Sequence, residues 1–159
     1  MRTLRRLLPL PALALGSVIL GSLALAPPAA ASLGADIGSV EADRAAVHGT
    51  VAIRSAAGYE VREITTPAGV HVREYLTPGG TVFALSWQGP VRPDLRQMLG
   101  SYYARYAQAA AAPHVGGHRH LAVEQPGLVV ESNGRMRAFY GRAWDPSLLP
   151  AHFQVADLR

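Results

Sequence analysis

From Tyr59 to Pro90 apolar and polar residues alternate, and the run is broken twice by similar short stretches, Thr66-Pro67-Ala68-Gly69 and Thr77-Pro78-Gly79-Gly80. A period of two with Pro/Gly punctuation predicts three short strands, an antiparallel meander over 59–88. Pro67 suits position i+1 of a type I turn and Gly69 the left-handed residue that follows it, which makes a three-residue hairpin loop with a bulge. That loop places Ile64 opposite Val72, Glu63 opposite Arg73, Arg62 opposite Glu74 and Val61 opposite Tyr75. A two-residue loop would instead oppose Arg62 and Arg73, which like charges disfavour. The same loop at Pro78-Gly79-Gly80 sets Leu76 against Val82, Tyr75 against Phe83 and His71 against Trp87. Two unlike faces result. One carries Tyr59, Val61, Tyr75, Phe83, Leu85 and Trp87 with Glu63, Arg73 and His71. The other carries Ile64, Val70, Val72, Leu76, Val82 and Ala84 with Arg62 and Glu74.

Beyond Pro90 the period changes. Leu95, Met98, Leu99, Tyr102, Tyr103 and Tyr106 form one continuous stripe at helical spacing, so 93–110 is expected to be an amphipathic helix covering the sheet. Pro93 suits its first position and Asp94 its first turn. Gly100 inside the stripe implies a close approach to a neighbouring strand. Residues 111–120 read as a linker and 121–144 as a second β unit: a strand at Leu121–Glu124, then a hairpin of 128–131 and 135–141 turning at Ser132-Asn133-Gly134. Asp145 caps a turn at the start of the tail, 145–159. Ahead of the meander, 32–58 contains a short helix capped by Ser39 and a brief strand from Thr50 to Arg54. The fold class this predicts is a single α+β domain: a three-stranded antiparallel meander, one covering helix, then two to three further antiparallel strands, with both β units able to join into one sheet.

Composition changes this picture mainly at the N-terminus. Arg2, Arg5 and Arg6, an apolar run from Leu7 to Ala26 and the small residues Ala29-Ala30-Ala31 have the layout of a cleavable export signal over 1–31. The alternative is a retained membrane anchor, since the run approaches the length of about 20 residues needed to span a bilayer. Of the 159 residues, Arg supplies all fifteen strong bases, and removal of 1–31 leaves twelve of them against eleven acids, a net charge of +1. Such a chain has no long-range attraction for nucleic acid. The absence of Cys removes disulfides, thiol chemistry and lipid attachment through Cys, so the exported chain must be held by packing alone. The expected location is periplasmic or extracellular.

Candidate chemistry is sparse. His114, His118 and His120 could bind zinc, His118 and His120 pointing the same way if they lie on a strand. A polar, glycine-broken loop that happens to be His-rich fits the same residues. Glu63 and Glu74 would be the natural acid–base pair, but the register puts them on opposite faces, each opposite an Arg. No nucleophile elbow, P-loop or dinucleotide fingerprint is present.

One resemblance extends across the chain. Val72 to Pro90, Pro93 to Tyr102, Leu128 to Arg142 and Leu148-Leu149-Pro150 resemble a family of small exported Gram-negative proteins catalogued as domain of unknown function 2844. The resemblance implies export and a single domain. It brings no activity, cofactor or catalytic residue. The expectation is therefore a non-catalytic binding or accessory module for another envelope component, with the aromatic face (Tyr59, Tyr75, Phe83, Trp87) as its contact surface. A small metal-dependent hydrolase built on the three histidines and a membrane-anchored envelope protein are the alternatives.

Overall fold

The structure, a computed structural model, describes residues 32–35, 50–112 and 120–158. The expected export signal and the short helix after Ser39 lie outside them. Among the described residues, seven strands form one antiparallel sheet in the order β1-β2-β3-β4-β7-β6-β5. They are β1 (Thr50–Ala56), β2 (Tyr59–Thr65), β3 (His71–Leu76), β4 (Val82–Gly89), β5 (His120–Gln125), β6 (Leu128–Arg135) and β7 (Ala138–Trp144). A helical segment fills residues 95–111: α1 (Leu95–Leu99), a 3-10 turn (Gly100–Tyr102) and α2 (Tyr103–Ala111). The protein is therefore mostly β. The helix-covered antiparallel sheet is as expected, but the meander has four strands rather than three, because Thr50–Ala56 pairs with β2 along its whole length.

The two β units form one sheet, joined where the central strand β4 pairs with β7. The first hairpin has the expected register throughout: Val61, Arg62, Glu63 and Ile64 face Tyr75, Glu74, Arg73 and Val72. Both Thr-Pro-x-Gly turns are built alike. Gly69 and Gly80 adopt φ of 76° and 84°, their amides donate to Thr66 O and Thr77 O at 2.9 Å, and each Thr hydroxyl accepts the amide four residues on, at 3.1 Å.

The second hairpin departs from expectation after one pair. Leu76 faces Val82, but Tyr75 then faces Ala84 and His71 faces Gln88, because a bulge lies between Tyr75 and Leu76 and leaves Phe83 as the extra residue of β4. A bulge inserts one residue and reverses every later side chain of its strand. Leu85 and Trp87 therefore point to the helix side rather than toward Tyr59, Tyr75 and Phe83.

The last hairpin also differs. The chain does not turn at Asn133-Gly134, and β6 continues to Arg135, which faces Ala138. The turn falls at Met136-Arg137, with Arg137 in the left-handed region at φ 64°. Gly134 is needed for a different reason. A Cβ there would lie 2.7 Å from Cδ1 of Phe139, so the strand needs a glycine under that ring.

Each side of the sheet has its own core. On one side Leu76, Val82, Leu85, Trp87, Val123, Leu128, Val130 and Ala143 pack against Leu95, Met98, Leu99 and Tyr106 of the helical segment and against Leu33. Asp94 is the helix cap rather than part of its first turn: its Oδ1 accepts the amides of Arg96 and Gln97 at 2.8 and 3.2 Å. Gly100 interrupts the helix at φ 50°, where a Cβ would lie 2.3 Å from that of Ser32, so the close neighbour is the 32–35 segment rather than the strand expected. On the other side Tyr75, Phe83, Ala84 and Trp144 are covered by the tail through Leu148, Leu149, Phe153, Val155 and Leu158. Full burial of each large apolar side chain contributes about 1.5–3 kcal/mol, which is how a cysteine-free chain can hold together.

Candidate functional site

The register of the sheet aligns side chains on its tail-covered side into three rows. The first is apolar and lies beneath the tail: Val61, Tyr75, Ala84, Trp144 and Val129, consecutive partners across five strands. Phe153 stands nearly perpendicular to three rings there, at 5.1 Å from Tyr59, 5.8 Å from Tyr75 and 4.8 Å from Phe83. Tyr75 and Phe83 are thus internal, and Trp87 lies on the opposite side of the sheet. The aromatic residues expected to form a contact surface do not share an open one, because the tail occupies that place and the bulge turns Trp87 away.

Two residues along each strand lies a row of ion pairs: Glu63, Arg73, Ser86, Arg142 and Glu131. Glu63 accepts Arg73 Nε at 2.9 Å and Arg54 Nη2 at 3.1 Å, with His71 Nδ1 3.5 Å from its other oxygen. The hydrogen bond from Arg73 holds the Glu63 carboxyl below its ordinary range; burial opposes this, and the charges of Arg73, Arg54 and His71 reinforce it. Arg142 donates to Glu131 at 2.7 Å and to Val155 O at 3.1 Å, tying the tail to the row. Its guanidinium also lies 5.5 Å from the centre of the Trp144 ring.

Among the described residues the third row is left largely open beside the tail. Thr65, His71, Gln88, Tyr140, Asn133 and His120 are consecutive cross-strand partners over six strands. At the usual strand spacing the row is roughly 24 Å long. Thr65 Oγ1 and His71 Nδ1 are 3.1 Å apart at one end, and His120 Nδ1 and Asn133 Oδ1 are 2.6 Å apart at the other. Tyr140, near the middle, is 53% exposed, one of four large hydrophobic side chains left exposed among the described residues. Hollows of about 410 and 500 Å³ flank it, sharing Arg73, Gln88 and Tyr140 as walls. This is a preformed polar shelf on a rigid sheet, with one aromatic ring standing on it.

The chain matches, over residues 29–158, the family described as "Protein of unknown function (DUF2844)". The chain belongs to that family. No curated protein and no solved structure matches it.

In this DUF2844 member a further hollow, of about 270 Å³, opens on the helix side between the first hairpin and the start of the helix. Ile64, Val70, Val72, Val91 and Met98 line it, together with the fully buried Glu74. Glu63 and Glu74 are on opposite sides of the sheet, as the register required, and Arg62 beside Glu74 donates to Glu60 at 2.6 Å. Of the three histidines considered for zinc, His114 and His118 lie outside the described residues, and His120 is the exposed end of the polar row. Among the described residues no three His, Asp or Glu side chains converge as metal ligands would, and no helix is long and apolar enough to cross a membrane.

His71 and His120 stand out in the sequence for other reasons and Asn133 only as a turn residue, while Gln88 and Tyr140 carry no local signal of a site. Reading Ser-Asn-Gly as a turn removed Asn133 from any strand face. The signal that could have found the row is the alternation Asn133, Glu131, Val129 against Tyr140, Arg142, Trp144, which steps from polar to apolar in parallel on both strands.

Proposed function

We propose that this DUF2844 protein is a non-catalytic binding or accessory module that works outside the cytoplasm, periplasmic or secreted, and contacts another envelope component through the polar shelf. The observation that carries this reading is the uncovered row itself. Six polar side chains from six strands share one side of the sheet, while the apolar row on that same side is closed by the protein's own tail. Export rests on the basic, apolar and small-residue sequence of 1–31. A zinc hydrolase using His114, His118 and His120 has less support, because His120 already engages Asn133. Calorimetric titration of the metal-free chain with Zn²⁺ tests that alternative directly.

The reading is tested with cells producing the full chain. N-terminal sequencing of the exported form should begin near Ser32; an intact Met1 would favour the anchored form. The mature chain should co-sediment with envelope material from the same cells, and His71→Ala with Gln88→Ala should reduce that retention while leaving the melting temperature close to wild type. Retention unchanged by these substitutions would remove the shelf as the contact surface.

A further inference from the structure

We infer that the shelf takes an uncharged, hydroxyl-rich chain, a segment of neutral polysaccharide, lying across the strands. This rests on the shelf being the contact surface. Three properties of the row point to that class. First, the guanidinium groups of Arg54, Arg73 and Arg142 beside it already have carboxylate partners within the sheet, Arg54 and Arg73 on Glu63 and Arg142 on Glu131. A polyanion would have to compete with carboxylates already 2.7–3.1 Å from these guanidinium groups. Second, its outward groups are amides, imidazoles and a hydroxyl, each able to donate and accept. A sugar hydroxyl is likewise both donor and acceptor and matches such groups without leaving a buried charge. Third, Tyr140 places a half-exposed ring among them. An aromatic ring with a polar tip can pack against the C–H face of a sugar while its hydroxyl bonds the rim.

Shape separates this ligand from the other classes. A peptide adding as a strand would use a sheet edge, where backbone groups are free to pair, whereas the row lies on a face. A compact metabolite would fill one of the two hollows beside Tyr140, whereas the polar row runs on across six strands for roughly 24 Å at ordinary strand spacing. An extended polymer can meet side chains from successive strands in turn. The scaffold is already rigid, so little ordering of the protein opposes binding.

The experiment uses the wild-type mature chain and Tyr140→Ala, whose melting temperature should stay close to wild type because the site is exposed; Tyr140→Phe retains the ring as a control. Each is incubated with envelope material that has been stripped by protease, oxidised by periodate to open sugar diols, or left untreated. The expected result is retention of wild type on untreated and protease-stripped material, unaltered by added salt and lost after periodate. Tyr140→Ala should bind about tenfold more weakly, with Tyr140→Phe close to wild type. Retention that disappears with protease and survives periodate would replace the polysaccharide by a protein partner. Retention abolished by moderate salt would replace it by a polyanion. Both outcomes overturn the ligand class and leave the shelf as the contact surface. Equal retention of wild type and Tyr140→Ala, or none of either, overturns the shelf itself.

Discussion

Tyr102 donates its hydroxyl to Asp145 Oδ2 at 2.8 Å, joining the helical segment to the first residue of the tail. The same carboxylate accepts the amide and hydroxyl of Ser147 at 2.8 and 2.6 Å. Arg105 stacks 4.7 Å from the centre of the Tyr102 ring and donates to Pro126 O at 2.8 Å. The coverings of the two sides of the sheet are thereby clasped at one corner. Hydrogen bonds to charged groups contribute about 1.5–3 kcal/mol, and Asp145 is buried. Tyr102→Phe should therefore lower unfolding free energy by that amount in urea titration. The same change made in an Asp145→Asn background should cost clearly less, because the partner charge is already gone.

Acid should loosen this clasp. Burial pushes the Asp145 carboxyl up, but the Ser147 side chain, Tyr102, the Ser147 amide and the Arg105 charge together hold it below its ordinary range. Glu63 is also depressed, chiefly by Arg73. A carboxylate whose folded pKa lies below its unfolded value stabilises the fold above the unfolded pKa, and loses that contribution as pH falls through the folded one. The urea midpoint should thus be nearly flat from neutrality to about pH 5 and fall below about pH 4, where unfolded carboxylates begin to hold protons. Asp145→Asn should flatten the acid limb.

Removing the ring that closes the aromatic row should be costly. Phe153 meets three rings edge-on, and Phe→Ala in a core typically costs 3–5 kcal/mol. Phe153 is only partly buried, so about 3 kcal/mol is expected for Phe153→Ala by chemical denaturation, together with new binding of a hydrophobic dye. Phe153→Leu should recover much of the loss.

One substitution should stabilise. Arg137 is the sole non-glycine among the described residues with positive φ, at 64°, and it sits in an exposed turn. The left-handed conformation costs an L-residue about 1–2 kcal/mol. Arg137→Gly relieves this at the expense of unfolded-state entropy, for a net gain of up to about 1 kcal/mol in thermal or urea unfolding. An unchanged or lowered midpoint would mean that the Arg side chain contributes contacts of its own.

The first hairpin was fully legible because its strands carry crossed charges. With Arg62, Glu63, Arg73 and Glu74 in adjacent positions, a one-residue slip would oppose like charges, so chemistry marks the phase. The strand after it has no such mark. Val82 to Trp87 is apolar except for Ser86, and every one of these residues is buried, so nothing in the pattern says that Phe83 is an extra residue. That unseen bulge decided which side received Trp87. The candidate shelf was hidden by the opposite kind of error, a strong local signal overruled by packing. Asn-Gly favours a turn, but here the glycine admits the Phe139 ring and the chain reverses later. The tail could not be placed from sequence because what it covers is assembled from five strands spread along the chain.

The seam between β4 and β7 has a consequence for the order in which the molecule can form. Its pairs, such as Trp87 with Gly141, join segments separated by the whole helical segment and two other strands. The first four strands can form a local meander, but one side of it must remain uncovered until the last residues of the chain have been made. Long-range pairing of this kind slows folding, and the partly covered sheet meanwhile presents Tyr59, Tyr75 and Phe83 to anything nearby. A chain cut short after Trp144 would keep every strand and still lack its closing segment, so its fate should be association with other copies rather than simple loss of an end.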